Sequence, residues 1–353
     1  MPSFHQRRLS DSSEFQLIQA IRRQSTGPTH ASLLKGIGDD AAIIEPLQNE
    51  HLLVSTDLLI EGIHFDLKLT SFHNVGYRAT LANLSDMAAM GGIPRYVLTS
   101  VAIPPHYSLK DIRAMYRGLL SCCRQFNLQL IGGDTSASLM GMFLGITILG
   151  TVEKSRGLPR CGARIGDQIF TTGTLGDSWA GLKLLQPTGT KTKPRPEKRI
   201  SQFLINRHLR PTPRIDIGRW LSTHRLATAA IDLSDGLSGD LAHLCRESGV
   251  GAMIDATKIP ISPQCRSFAQ NRNLDPISIA LEGGEDYELL FTVPEGHQNE
   301  MQRIEDHHGV RITFIGTIQP RKSGMRIKLA NGSIRKIIVS SYDHFRRKKH
   351  RAV

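Results

Sequence analysis

The chain has 353 residues, 40% hydrophobic and 22% charged, which excludes intrinsic disorder, a collagen-like repeat and a small disulfide-stapled scaffold. That length points to two domains. The formal net charge of +12 raises nucleic-acid binding, yet residues 1–150 balance at 12 basic and 12 acidic side chains while residues 151–353 hold 32 and 20.

The N-terminus carries Arg7, Arg8, Asp11 and Glu14 with no apolar stretch, so it does not read as a secretory leader. Helical spacing follows over 14–23, and short strand-like runs over 41–44 and 52–55. A helix is expected over 75–90, closed by Gly91, Gly92 and Pro94, then a strand over 96–103. Ser108 and Asp111 form a capping pair for a helix running to about Phe126. A strand over 128–131 leads into Gly132, Gly133 and Asp134, and another covers 142–152. The longest uncharged run, 135–152, opens on polar residues and is broken by Gly141, Gly145 and Gly150. It falls short of the roughly 20 apolar residues a membrane helix needs, so no membrane association is expected.

Gly157, Pro159 and Gly162 mark a boundary, giving an N-terminal α/β domain over 1–152, a C-terminal α+β domain over 153–345 and a basic tail over 346–353. The second half reads as a strand over 168–172, a helix over 177–185, a Pro/Lys-rich loop over 187–199 and helices over 200–208 and 213–222. A strand over 226–231, a helix over 237–248 and strands over 251–255, 287–293 and 311–318 complete it. Much of the basic excess lies in 191–199 and 346–351, where no aromatic residues are interleaved for base stacking. Both segments read as solvated surface, and no nucleic-acid partner is expected. The five cysteines form no C-x-x-C pair and the fourteen histidines no metal-ligand motif, which fits a reducing, cytoplasmic setting.

The chemistry-bearing signal is a set of aspartates beside glycine or at the ends of apolar runs: Asp39–Asp40, Asp57, Asp86, Asp134 and Asp232–Asp235. One such aspartate is an ordinary cap or turn former. Five such blocks in one chain form a pattern. Carboxylates that converge cannot all stay ionised cheaply without cations. Oxygen ligands with little His or Cys nearby suit Mg²⁺, which shares its shell with phosphates. Nucleotide phosphoryl chemistry follows as the candidate, with structural calcium as the bland rival, though no EF-hand loop is present.

Residues 36–41 fit G-x-G-x-x-A, but the run that follows is strand-like and stops at Pro46, so the helix a dinucleotide fingerprint requires is missing. Walker A and kinase H-R-D sequences are absent. Gly283–Gly284 opens a strand through Glu285, Asp286 and Glu288. These acids read either as a solvent-facing strand entry or, for Glu285, as an attractor of a cationic substrate. His64, beside Gly62, is either structural or a phosphate contact.

Together the blocks GIGDDAAII (36–44), STDLLIEGIHF (55–65), NLSDMAAMGG (83–92), LIGGDTS (130–136), TGTLGDSWAGL (172–182), IDLSDGLSGDL (231–241), GGEDYELLFT (283–292) and YDHF (342–345) resemble the thiamine-monophosphate kinase family. That family sits within a superfamily including aminoimidazole ribonucleotide synthetase and selenophosphate synthetase. The resemblance implies ATP-dependent phosphorylation of thiamine monophosphate to thiamine diphosphate, several Mg²⁺ ions, and an aminoimidazole ribonucleotide synthetase-like fold whose N-terminal sheet pairs across a homodimer. It implies Asp40, Ser55, Thr56, Asp57, Asp86, Asp134, Asp232 and Asp235 as metal ligands. Tyr116, Gly133, Asp134, Arg160 and Ser234 are implied as ATP contacts, and His64, Glu285 and Tyr342 as substrate contacts. Ser341 stands where the family more often has Gly. Another ATP-using member of the superfamily is the alternative, although no cysteine occurs before Cys122 to serve a selenophosphate synthetase.

Overall fold

A computed structural model describes residues 21, 23–24, 30–35, 43–45, 48–186 and 196–339. Asp40, Tyr342, the basic tail, most of the helix expected over 14–23 and the 187–195 part of the basic loop lie outside the described residues. The chain divides into two compact units, residues 1–158 with 209–225 and residues 159–208 with 226–353. The segment 209–225, expected in the second domain, is therefore part of the first unit. Its helix Ile215–Thr223 carries Gly218, where a Cβ would fall 2.0 Å from the Ala88 carbonyl oxygen. Only glycine permits that approach. Arg219 then anchors the helix, donating to the Gly91 carbonyl at 2.8 Å and to both oxygens of Glu153 at 2.9 and 2.6 Å. This bidentate pair holds the Glu153 carboxyl down at about 2.

In the first unit, β1 (Leu33–Lys35) and β2 (Ile43–Ile44) form a small antiparallel pair. The main sheet comprises β3 (Glu50–Ile60), β4 (Ile93–Ile103), β5 (Gln129–Ala137) and β6 (Phe143–Glu153), in the order β3-β6-β4-β5, with β4 and β5 parallel. Helices Phe72–Ala89 and Leu109–Gln125 meet closely: a Cβ on Gly76 would lie 2.0 Å from the Met115 carbonyl oxygen, and one on Gly118 would lie 1.8 Å from that of His73. The expected capping box is present, Ser108 and Asp111 bonding reciprocally at the start of the second helix. Such a cap contributes about 1 kcal/mol. Ile146, Ile148 and Val97, all fully buried, mark the sheet face packed beneath helices. The strand expected over 128–131 runs on to Ala137, so Gly132, Gly133 and Asp134 lie within β5 rather than in a turn after it.

The second unit is built on a seven-stranded sheet. Its strands are β7 (Gln168–Thr172), β8 (Ala229–Leu233), β9 (Gly251–Asp255), β10 (Glu288–Val293), β11 (Ile312–Gln319), β12 (Met325–Lys328) and β13 (Ile334–Lys336), in the order β13-β12-β9-β11-β7-β10-β8. Every residue of β10 is buried, so both of its faces are covered. Phe291 of β10 stacks on Phe170 of β7 at 5.8 Å. Helices Asp177–Leu185 and Leu237–Ser248 match the expected ranges. Helices Pro263–Asn271, Pro276–Glu282 and Gln298–His308 were not expected. The first two open on a proline preceded by a capping Ser262 or Asp275, a signal available in the sequence. Among the described residues no helix is long and apolar enough to cross a membrane.

Candidate functional site

The first unit gathers its polar groups on β3 and the helix Phe72–Ala89. Side chains alternate along a strand, so Ser55 and Asp57 share the face that meets Asp86. Ser55 donates its hydroxyl hydrogen to Asp86 Oδ2 and lies 3.5 Å from Asn83 Oδ1. Burial, and then the charge of Asp86, push the Asp57 carboxyl up to about 6. Two carboxylates here feel each other, the condition under which a divalent cation is favoured.

Sheet register separates the other expected ligands. Asp57 pairs with Ile146, which pairs with Thr99, which pairs with Gly133; one residue on, the row is Leu58, Gly145, Ser100 and Asp134. Cross-strand partners share a face, so Thr56 and Asp134 point away from Asp57 and Asp86. The Thr56 hydroxyl engages Thr147 Oγ1 at 2.9 Å and the Ile146 carbonyl at 3.2 Å, while Asp134 is exposed. Tyr116 is buried in the core at 2% exposure, its hydroxyl 3.3 Å from Thr99 Oγ1, and burial raises its pKa. Gly133 lies against the same Thr99. His64 accepts the Ile60 backbone N–H at Nδ1, 2.9 Å away. A neutral ring so held carries its proton on Nε2, an N–H suited to a phosphate oxygen.

The second unit holds another acidic group. Asp232 lies near the end of β8, and Ser234 and Asp235 follow in the turn before the helix Leu237–Ser248. Asp240, absent from the expected set, is buried at 2% exposure and accepts the Asp235 backbone N–H at 3.1 Å. Burial, reinforced by Asp232 and Asp235, raises its pKa well above the usual range, against the pull of Arg160. Arg160 thus stands close enough to this carboxylate group to supply its positive charge. The sequence signal for Asp240 is its place in the block 231–241, masked because it sits inside a helix rather than at a turn.

Glu285 lies on a left-handed bend, φ 68°, with its N–H donated to the Ser234 carbonyl at 2.8 Å. Its carboxylate is 35% exposed and approaches His208 Nδ1 at 3.7 Å. Its neighbours do not face solvent: Asp286 is 2% exposed and Glu288 0%. The solvent-facing reading of those two acids is corrected: Glu288 opens a strand covered on both faces, and Asp286 turns inward to accept the Gly176 and Ser178 N–H groups.

Among the described residues no three His, Cys, Asp or Glu side chains are gathered closely enough to hold a metal ion. The donor chemistry nevertheless fits a hard cation. Ser55, Asp57 and Asp86 offer only oxygen ligands, and Asp57 is raised first by burial and then by the Asp86 charge, both of which a cation would offset.

Comparison with known proteins also divides the chain in two, with residues 209–225 inside the second match. The family model for AIR synthase related protein, N-terminal domain, matches residues 38–152, and that for the C-terminal domain matches residues 164–328. A thiamine-monophosphate kinase of Buchnera aphidicola is 38% identical over 317 residues, covering 89% of this chain and 94% of the relative. The crystal structure of thiamine-monophosphate kinase from Stenotrophomonas maltophilia aligns with a TM-score of 0.78 at 34% identity, covering 91% of this chain and 97% of that one. A structure of AaThiL complexed with AMPPCP and TMP aligns with a TM-score of 0.72 at 34% identity, covering 97% and 100%.

Proposed function

The chain belongs to the AIR synthase related family, matching both of its domain models in order, and within that family we propose that it is a kinase that uses ATP to phosphorylate thiamine monophosphate to thiamine diphosphate. The observation that carries this reading is the relative solved with an ATP analogue and TMP, aligned over nearly the whole of both chains. The reaction would form the last step in making thiamine diphosphate.

Magnesium belongs to the proposal through Ser55, Asp57 and Asp86 in the first unit and Asp232 and Asp235 in the second, with Asp40 as a further ligand and Thr56 and Asp134, on the other face of the sheet, as ligands of a separate ion. When bound, Mg²⁺ would offset repulsion between the phosphates that must meet in line. The chain's own groups do the rest. Arg160, with Gly133, Ser234 and Tyr116, is assigned to ATP. The Tyr116 hydroxyl lies buried against Thr99, so its part would be to hold that strand under the nucleotide. His64 presents an Nε2 donor to the acceptor phosphate. Glu285 and Tyr342 are assigned to the cationic, ring-bearing end of the substrate. A phosphate oxygen is already a nucleophile, so no general base is assigned. All five cysteines are free thiols, the state a reducing cytoplasm maintains, and we place the enzyme there.

A homodimer through the first unit's sheet is also proposed. Leu52, Val54 and Leu58 alternate along β3 and are 62, 61 and 55% exposed. Such an apolar stripe on a sheet face is rarely left in water. Val54→Asp is expected to turn a sedimenting dimer into a monomer at micromolar concentration; a variant that still sediments as a dimer sinks this interface.

The activity itself is tested by incubating purified protein with Mg²⁺, ATP and thiamine monophosphate and following thiamine diphosphate directly. Absence of product from folded protein that binds ATP would overturn the substrate assignment and move the search to other phosphate acceptors within the family.

A further inference from the structure

Three buried acids of the second unit, and a partly buried arginine that faces them, have no part in the site described above. Asp177, Asp286 and Glu288 are 0–2% exposed, and the Arg207 side chain that faces them is 15% exposed. Arg207 Nη2 donates to Glu288 Oε1 at 2.8 Å, and its Nε lies 3.7 Å from Asp177 Oδ2. Thr172 donates to Glu288 at 2.6 Å, and Thr174 and Ser262 donate to Asp177. Asp286 takes a different pair of partners, the backbone N–H groups of Gly176 at 2.6 Å and Ser178 at 3.0 Å. These are free donors at the start of the helix Asp177–Leu185, where an acid also meets the positive end of the helix dipole.

The segment around Asp286 is strained. Glu285 and Tyr287 hold φ values of 68° and 52°, left-handed conformations that residues with a Cβ adopt reluctantly. Such a pair persists only where its surroundings over-determine it. Here the Glu285 N–H is fixed on the Ser234 carbonyl at 2.8 Å and the Tyr287 N–H on the Leu233 carbonyl at 2.9 Å. Between them the Asp286 carboxylate is locked on the helix start. Two reversals around one inward-pointing side chain leave Glu285 as the group that reaches solvent.

We propose that Asp286 is the positioning residue for Glu285: its carboxylate, clamped on the Gly176 and Ser178 N–H groups, holds the left-handed bend that presents Glu285 to the cationic end of the substrate. The inference rests on the reading of Glu285 as a thiamine monophosphate contact. It predicts a specific pattern rather than a general loss. Removing the clamp frees the bend but leaves β8 and β10 paired, so the ATP side should be affected far less than the acceptor side. Asp286 is also held up at about 7, chiefly by burial, so Asp286→Asn substitutes an amide for a carboxyl that is already half neutral at that pH. The amide keeps one acceptor oxygen and loses the other.

The test compares Asp286→Ala, Asp286→Asn, Glu285→Gln and the Glu285→Gln/Asp286→Asn double variant. Expected are a KM for thiamine monophosphate raised at least 10-fold in Asp286→Ala and by less in Asp286→Asn, with kcat and the KM for ATP within threefold of wild type. The double variant should be no worse than Glu285→Gln within about twofold, since both act through one group. Multiplying losses, or equal effects on both substrates, overturn the proposal. Should Asp286→Ala not fold, Asp286→Asn carries the comparison. Amide exchange of the 283–287 peptide provides an activity-free readout: at least 10-fold faster in Asp286→Asn, with β10 unchanged. Unchanged exchange there overturns the positioning role. A wild type without kinase activity but with this exchange pattern overturns only the substrate reading.

Discussion

Asp57→Asn is expected to abolish turnover while making the folded protein more stable. The wild-type carboxyl is pushed up to about 6, first by burial and then by Asp86, against about 3.8 in an unfolded chain. A group whose pKa rises on folding stabilises most below its unfolded value, and that contribution is lost as pH climbs through the folded value. Above pH 6 the ionised Asp57 therefore costs stability, on the order of 2–3 kcal/mol. An asparagine does not ionise and recovers most of it. Chemical unfolding at pH 7.5 should find the variant more stable, with the difference shrinking as pH falls toward 4. Activity should move the other way, by on the order of 10³-fold, because a proposed metal ligand is lost from a reaction between phosphates. Mg²⁺ should raise the melting temperature of wild type more than that of the variant. A less stable variant, or one retaining a tenth of the activity, would show that Asp57 is a structural carboxylate.

How much of this was legible in the sequence depends on the scale of the question. Local signals were read well where one residue carries one physical role. Ser108 and Asp111 predicted a capping box that exists, and the ranges 177–185, 237–248 and 168–172 are the observed elements. Facing was not legible for the aspartates, because the strand expected over 52–55 runs on to Ile60. Once Asp57 lies inside a strand, parity alone turns Thr56 to the opposite side. Asp286 was misread for a similar reason. A Gly-Gly turn followed by acids suggests a solvent-facing entry, and left-handed φ at Glu285 and Tyr287, neither of them glycine, leaves no mark in the sequence. The placement of residues 209–225 in the first unit depends on Gly218 meeting Ala88, a contact across more than a hundred residues that no local window contains. The candidate metal ligands, by contrast, follow from chemistry shared by short blocks, and so needed no knowledge of which face each would occupy.

Gly133→Ala against Gly132→Ala separates two neighbours that look alike in sequence. A Cβ on Gly133 would fall 2.0 Å from the Thr99 carbonyl oxygen and 2.8 Å from Thr99 Oγ1, while one on Gly132 would meet only the Leu98 Cδ2 methyl at 3.2 Å. The first obstacle is backbone of the adjacent strand and cannot rotate away. The second is the tip of a flexible side chain. Gly133→Ala must push β5 off β4 at the rung carrying Thr99, one residue before the Ser100–Asp134 pair. Overpacking of this kind costs about 3 kcal/mol or more, or a fall of roughly 6–12 °C for a domain of this size. Gly132→Ala should stay within about 1 kcal/mol of wild type. Because Asp134 lies on the very next rung, the residual folded Gly133→Ala protein should also bind ATP more weakly. Calorimetry of both variants, with ATP titrated below the lower melting temperature, checks each part. Equal losses would place the constraint in the strand's backbone freedom rather than in its contact with Thr99. A stable Gly133→Ala with normal ATP affinity would mean that β5 can shift without moving Asp134, and that the close approach at Thr99 has no bearing on the site.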